Sequence, residues 1–137
     1  SSDIISYLLS GDYIPLCLRV LKFGQEINRI VAAFILAKIA SDKQGLLSIC
    51  NANDRLKAVL PVLNRVVFEL SRQYSGRLAK NVVFAYEQIL SVPEARTAAL
   101  EEAARQPIKD IGHKLAPNVD PDFTRLYSTL FMQASNK

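Results

Sequence analysis

The side chains that could do chemistry are few, and they do not cluster. The 137-residue chain has one histidine, His113, and two cysteines, Cys17 and Cys50. His113 sits beside Lys114 in a stretch that also carries Pro107, Gly112 and Pro117, which reads as an exposed loop. Two isolated cysteines and one histidine cannot make a four-ligand zinc site from those residue types. Glu101 and Glu102 are neighbours on a helical pattern, where adjacent side chains point about 100° apart and cannot clasp one substrate. The motifs GxxxxGK[ST], HExxH and GxSxG do not occur. No role in a catalytic checklist is filled, so the reading is a non-enzyme with no cofactor and no metal.

Binding surfaces remain. Half of the residues are apolar, which suits a packed domain rather than a disordered chain. The net charge of +4, from 17 basic and 13 acidic residues, is a mild excess. It is compatible with weak single-stranded nucleic-acid contact and equally with an ordinary solvated surface. Cys17 and Cys50 lie in apolar surroundings without a CxxC pair and read as reduced core residues. That favours a cytoplasmic or nuclear setting. The longest apolar run, Ile30 to Ala37, stops at Lys38, too short to span a bilayer. The first residues have no signal-peptide layout, so no membrane partner is expected.

The elements that must position any site read as helices throughout. Asp3 to Leu9 predicts a short helix ended by Gly11. Asp12 can cap a second, with Pro15 in its first turn, running to Phe23 before Gly24. A third covers Gln25 to Ala40, and its centre is apolar almost all the way round, as in a helix sandwiched between neighbours. Ser41, Asp42 and Gly45 mark a loop. A short helix from Leu46 to Asn51 follows, then a long one from Arg55 to Tyr74 in which Pro61 predicts a kink or break. Further helices run from Arg77 to Leu90 and from Pro93 to near Arg105. Residues 106–119 form a loose linker, and Asp120-Pro121 opens a last helix over 121–134.

Two blocks repeat. Ile14 to Ile39 and Leu60 to Leu90 share the order helix, glycine break, buried helix, with Gly24 answered by Gly76. The offset is near fifty residues, slightly long for an armadillo or HEAT unit of roughly 40–47. The chain therefore reads as one all-α domain, residues 1–137, a partial armadillo-type α-solenoid.

Particular segments carry a sharper likeness. Tyr13 to Leu21 (YIPLCLRVL), Val31 to Ile39 (VAAFILAKI), Gly45 to Cys50 (GLLSIC), Asp54 to Leu56, Ser75 to Val83 (SGRLAKNVV) and Pro93 to Ala98 (PEARTA) closely resemble the family called "required for cell differentiation". Its members are the armadillo subunit of the Ccr–Not deadenylase complex. The likeness runs from about Asp3 to Leu100 and fades beyond. It implies a right-handed superhelix of about six repeats, of which this chain resembles the C-terminal half. It also implies a non-catalytic adaptor that binds the Not scaffold and short peptide motifs of RNA-binding and silencing regulators. Half a solenoid leaves one end uncapped, which favours a homo-oligomer.

Three candidate sites follow. Arg77, Lys80, Asn81, Phe84 and Gln88 recur at three- and four-residue steps and share a helix face. A solvated face explains the cations by itself. Shifted by the repeat, the counterpart stripe on the earlier helix includes Asn28, Val31 and Ile35, and the resemblance implies that Val31 and Arg77 line a concave peptide-binding groove. On the convex side it implies a tryptophan pocket at Arg55, Asn53 and Ala98, in which Asn53 replaces the aromatic residue of many relatives. A helix-start arginine and a packed alanine are the plainer account. Arg19, Lys22, Arg77 and Lys80 are candidate nucleic-acid contacts. The alternative function is a generic armadillo/HEAT scaffold, or a single-stranded nucleic-acid-binding module, outside that complex.

Overall fold

The fold is described over residues 12–51, 53–106 and 115–132 of a computed structural model. The helix expected over Asp3 to Leu9, its Gly11 stop and His113 lie outside these residues. Among the described residues the elements are helical, and no strand occurs.

Helix α1 spans Ile14–Phe23, with Pro15 in the first turn, where its missing N–H leaves no bond unmade. Asp12 is not its cap, contrary to expectation. Tyr13 takes that position and its side chain does not cap the helix, while Asp12 adopts φ 50° and pairs with Arg55 at 2.6 Å. A charge-assisted pair outcompetes a local cap here. Gly24 then ends α1 with an extended φ of −77°. Close approach explains the glycine, since a Cβ would lie 2.6 Å from the Val20 carbonyl oxygen.

Helix α2 spans Glu26–Ser41 and α3 spans Lys43–Asn51. Gly45, expected in a loop, is buried inside α3. Asp42 alone separates the two helices and starts the second, its Oδ2 accepting from the Gly45 N–H at 3.0 Å. Helix α4, Asn53–Arg72, is continuous through Pro61, where a break was possible. Pro61 and Lys57, whose carbonyl loses its donor, are both exposed, so water can satisfy that oxygen. Helix α5 is Gly76–Leu90, capped by the Ser75 hydroxyl, and α6 is Pro93–Arg105. Helix α7, Pro121–Tyr127, is capped by Asp120 and runs on as a π-helical turn, Ser128–Met132.

The helices form two layers. Helices α2, α5 and α7 lie side by side, with α2 against α5 the most extensive contact of the molecule. Helices α1, α4 and α6 make the second layer, and α3 links one unit to the next. The result is an all-α helical-repeat solenoid. Its core is continuous through Leu21, Leu36, Ile49, Leu63, Ile89 and Phe123, all below 2% exposure. Each such side chain contributes about 1.5–3 kcal/mol on burial. The described part of the expected linker is anchored: Ala116 donates to the Ser71 carbonyl at 3.0 Å, and Leu115 and Val119 pack on the core.

Cys17 and Cys50 are free thiols, both buried. Burial pushes the Cys17 thiol from its usual 9.0 to about 11. Burial, then nearby Glu94, pushes Cys50 in the same direction. The folded state holds the Cys17 proton more tightly than the unfolded chain does. Its contribution is complete below pH 9 and is lost as pH rises towards about 11. The urea midpoint should therefore fall between those values, and Cys17→Ala should flatten the fall. An identical pH profile in that variant would rule out Cys17 as its source.

Candidate functional site

The inner layer is not closed on its open side. Ile27, Val31 and Phe34 recur at helical spacing along α2 and are 55%, 51% and 49% exposed. The sandwiched reading of this helix is therefore corrected. Its buried residues, among them Ala32, Ala33, Leu36 and Ile39, cover the sides against its neighbours, while one apolar strip faces solvent. On α5 the matching exposed apolar residue is Phe84, 42% exposed. Phe34 and Phe84 are fifty positions apart, the repeat offset, so successive units present the same ring.

Between α2, α5 and α7 lies a half-open cleft of about 530 Å³. Phe34, Ala37, Val83 and Phe84 supply its apolar lining. Lys38, Lys80, Asn81, Glu87, Asp122 and Arg125 supply the polar part. The Lys38 ammonium lies 5.4 Å from the Phe34 ring centre, and Arg125 pairs with Asp122 at 2.9 Å. The cleft can accept an apolar side chain and offer cations and carboxylates at its rim. Among the described residues, no group of three or more His, Cys, Asp and Glu could hold a metal ion.

Of the residues singled out from sequence, Lys80, Asn81 and Phe84 line this cleft together. Asn28, Val31 and Arg77 are exposed, towards the N-terminal ends of α2 and α5 and outside the cleft lining. Ile35 and Gln88 are half-buried. Ile27, Phe34 and Lys38 were not found by sequence reasoning, although subtracting the repeat offset from Phe84 leads directly to Phe34. Arg55 is half-buried at the start of α4 with its guanidinium on Asp12, and Ala98 is half-buried on α6. Asn53 begins α4, and its side chain lies outside the description. Arg19 and Lys22 are exposed on α1, where Lys22 lies 5.2 Å from the Phe23 ring centre. Arg77 and Lys80 belong to the other layer, so the four cations are divided between two helices.

The sequence model described as "Cell differentiation family, Rcd1-like" matches residues 1–134. The match continues past Leu100, where the likeness read from the sequence fades, and includes the last helix. The cell differentiation protein rcd1 of Schizosaccharomyces pombe is 39% identical over 110 residues, which is 80% of this chain and 38% of that protein. The protein CAF40 of Saccharomyces cerevisiae is 40% identical over 97 residues, 70% of this chain and 26% of that protein. The chain thus spans well under half the length of either relative.

Proposed function

This chain belongs to the Rcd1-like cell differentiation family, and from that premise we propose that it is a non-catalytic adaptor of the Ccr–Not complex. In this reading it binds peptide segments of mRNA regulators, so that bound mRNAs are deadenylated and repressed in the cytoplasm, with a nuclear pool. The parent protein meets the Not scaffold, and other subunits remove the adenosines.

One observation supports the peptide part above the rest: the exposed strip of Ile27, Val31 and Phe34, continued across the cleft by Phe84. Its spacing matches the apolar face of an amphipathic helix laid against it. Lys38 and Lys80 flank it and favour acidic residues on the ligand, mainly through association rate and orientation. The convex positions Arg55 and Ala98 are less available, because an indole stacking there must share Arg55 with Asp12.

The chain has no tryptophan, so a peptide can carry the signal. The probe is a synthetic amphipathic helix with one tryptophan and flanking glutamates, excited where tyrosine hardly absorbs. A saturable blue shift of the indole is expected. No shift at any concentration would sink the peptide reading.

A second reading has its own support, since Phe34 and Phe84 are aromatic rings beside Lys38 and Lys80, a combination that stacks and neutralises single-stranded nucleic acid. Binding of a labelled oligoadenylate with a steep salt dependence, and none of the peptide, would favour it. Membership of the complex is tested on the tagged parent protein. Failure to recover the Not scaffold would overturn that part alone.

A further inference from the structure

Among the described residues two polar side chains of the solenoid core are fully buried, Ser71, whose hydroxyl donates to the Phe68 carbonyl of its own helix, and Asn64, which reaches across from α4 to α5. Asn64 and Tyr86 are both fully buried, and the Tyr86 hydroxyl donates to Asn64 Oδ1. Asn64 Nδ2 has no hydrogen-bond partner among the described residues. A buried donor left unmade costs about 1–3 kcal/mol. The repeat itself shows that this polarity is not needed for packing. Fifty positions earlier the corresponding residues are Ile14 and Leu36, each 1% exposed and wholly apolar. One unit meets the same burial with isoleucine and leucine, and the next uses a polar pair that leaves an amide donor unmade.

We infer that the Asn64–Tyr86 hydrogen bond fixes the rotation of α5 about its own axis, and so makes Tyr86 the positioning residue that turns Phe84 into the groove. Helix α5 meets neighbours on several sides and, besides Tyr86, buries Leu78, Ala79, Val82, Val83, Ala85, Ile89 and Leu90. The apolar contacts and the exposed face of Arg77, Lys80 and Glu87 set which side of α5 is buried, but apolar contact has no preferred direction and leaves the exact angle loosely held. Successive side chains are about 100° apart round a helix, so a turn of α5 by a fraction of that angle, too small to bury its charges, would already move Phe84 towards the edge of the open face. A hydrogen bond from α5 to the neighbouring α4 opposes that turn. Such use of buried polar groups, specificity at some expense of stability, is established for helix register in coiled coils. Burial, then nearby Glu102, pushes the Tyr86 hydroxyl upward, so it stays a protonated donor throughout the physiological range. The consequence for binding rests on the groove reading above; the rotation itself does not.

The test therefore reads the rotation without any peptide. The six phenylalanines are replaced by 4-fluorophenylalanine, and the Phe84 signal is assigned by its loss in Phe84→Leu. The parent should give a single Phe84 resonance. The double variant Asn64→Ile/Tyr86→Leu, which uses the residues of the preceding unit, should keep or raise the melting temperature. Its Phe84 signal should split, with a second state of about 10% or more. A single Phe84 resonance at the parent's position would overturn the inference, for then apolar packing alone sets the rotation. Should the double variant not fold, Tyr86→Phe removes only the hydroxyl and is read by the same criterion. Failure of the peptide titration would leave this result standing, and the reverse also holds.

Discussion

Val31→Glu and Phe84→Glu should each keep the fold and each weaken binding of the amphipathic peptide about 30-fold, the effect of losing a contact of about 2 kcal/mol. Retention of the fold follows from exposure, since neither side chain is part of the buried core. Loss of binding follows from chemistry. A carboxylate placed in an apolar strip must be desolvated beneath the ligand, and it repels the acidic residues that Lys38 and Lys80 attract. The two substitutions also measure how long the ligand is. A helix that covers the whole strip loses affinity with both, whereas one seated only in the cleft responds to Phe84→Glu and ignores Val31→Glu, because Val31 lies outside the cleft lining. The decisive comparison is circular dichroism melting beside the indole titration. Parent-like affinity in both variants would remove the inner face of the solenoid from peptide binding.

Helix order was legible because glycine, proline and capping residues punctuate a steady 3.6-residue period, and each described helix lies where that pattern puts it within a few residues. Three features were not legible. The apolar run of α2 looks buried on all sides, because periodicity reports where apolar residues are and not which neighbour is missing. Only the packed arrangement shows that Ile27, Val31 and Phe34 stand free. Asp12 has the residue type and position of a cap, but a guanidinium from α4, 43 residues later, claims its carboxylate. Gly45 reads as a loop residue because glycine is a poor helix former. Nothing local shows that the end of α2 presses on that position. The cation-bearing face of α5 was readable, and Lys80, Asn81 and Phe84 do share one cleft. Its counterpart Phe34 required the repeat to be applied in reverse.

Gly45→Ala should be the most destabilising single-methyl addition among the glycines at Gly24, Gly45 and Gly76. In an isolated helix the same change is favourable by about 1 kcal/mol, so propensity predicts the opposite sign. Geometry decides. A Cβ at residue 45 would lie 2.1 Å from the Ile39 carbonyl oxygen and 3.0 Å from its carbon, both backbone atoms near the end of α2. A flexible side chain could swing away, but a carbonyl held in a helix can move only with the helix. Asp42 is the single residue between α2 and α3, which leaves the corner no slack. The next unit confirms the cause. There the corresponding residue is Ala95, fully buried, and two residues, Ser91 and Val92, separate α5 from α6. The two corners have the same number of residues and differ in conformation: the one with two non-helical residues accommodates the methyl group, and the one with a single such residue turns too tightly for it. Overpacking against backbone should cost about 3 kcal/mol, or roughly 10 °C in melting temperature for a chain of this size. Gly76→Ala, whose nearest neighbour would be the Tyr74 ring at 3.8 Å, should range from no change to a gain of about 0.5 kcal/mol. Equal melting temperatures for the two variants would show that the α2–α3 corner yields, and that helix propensity rather than close approach governs both sites.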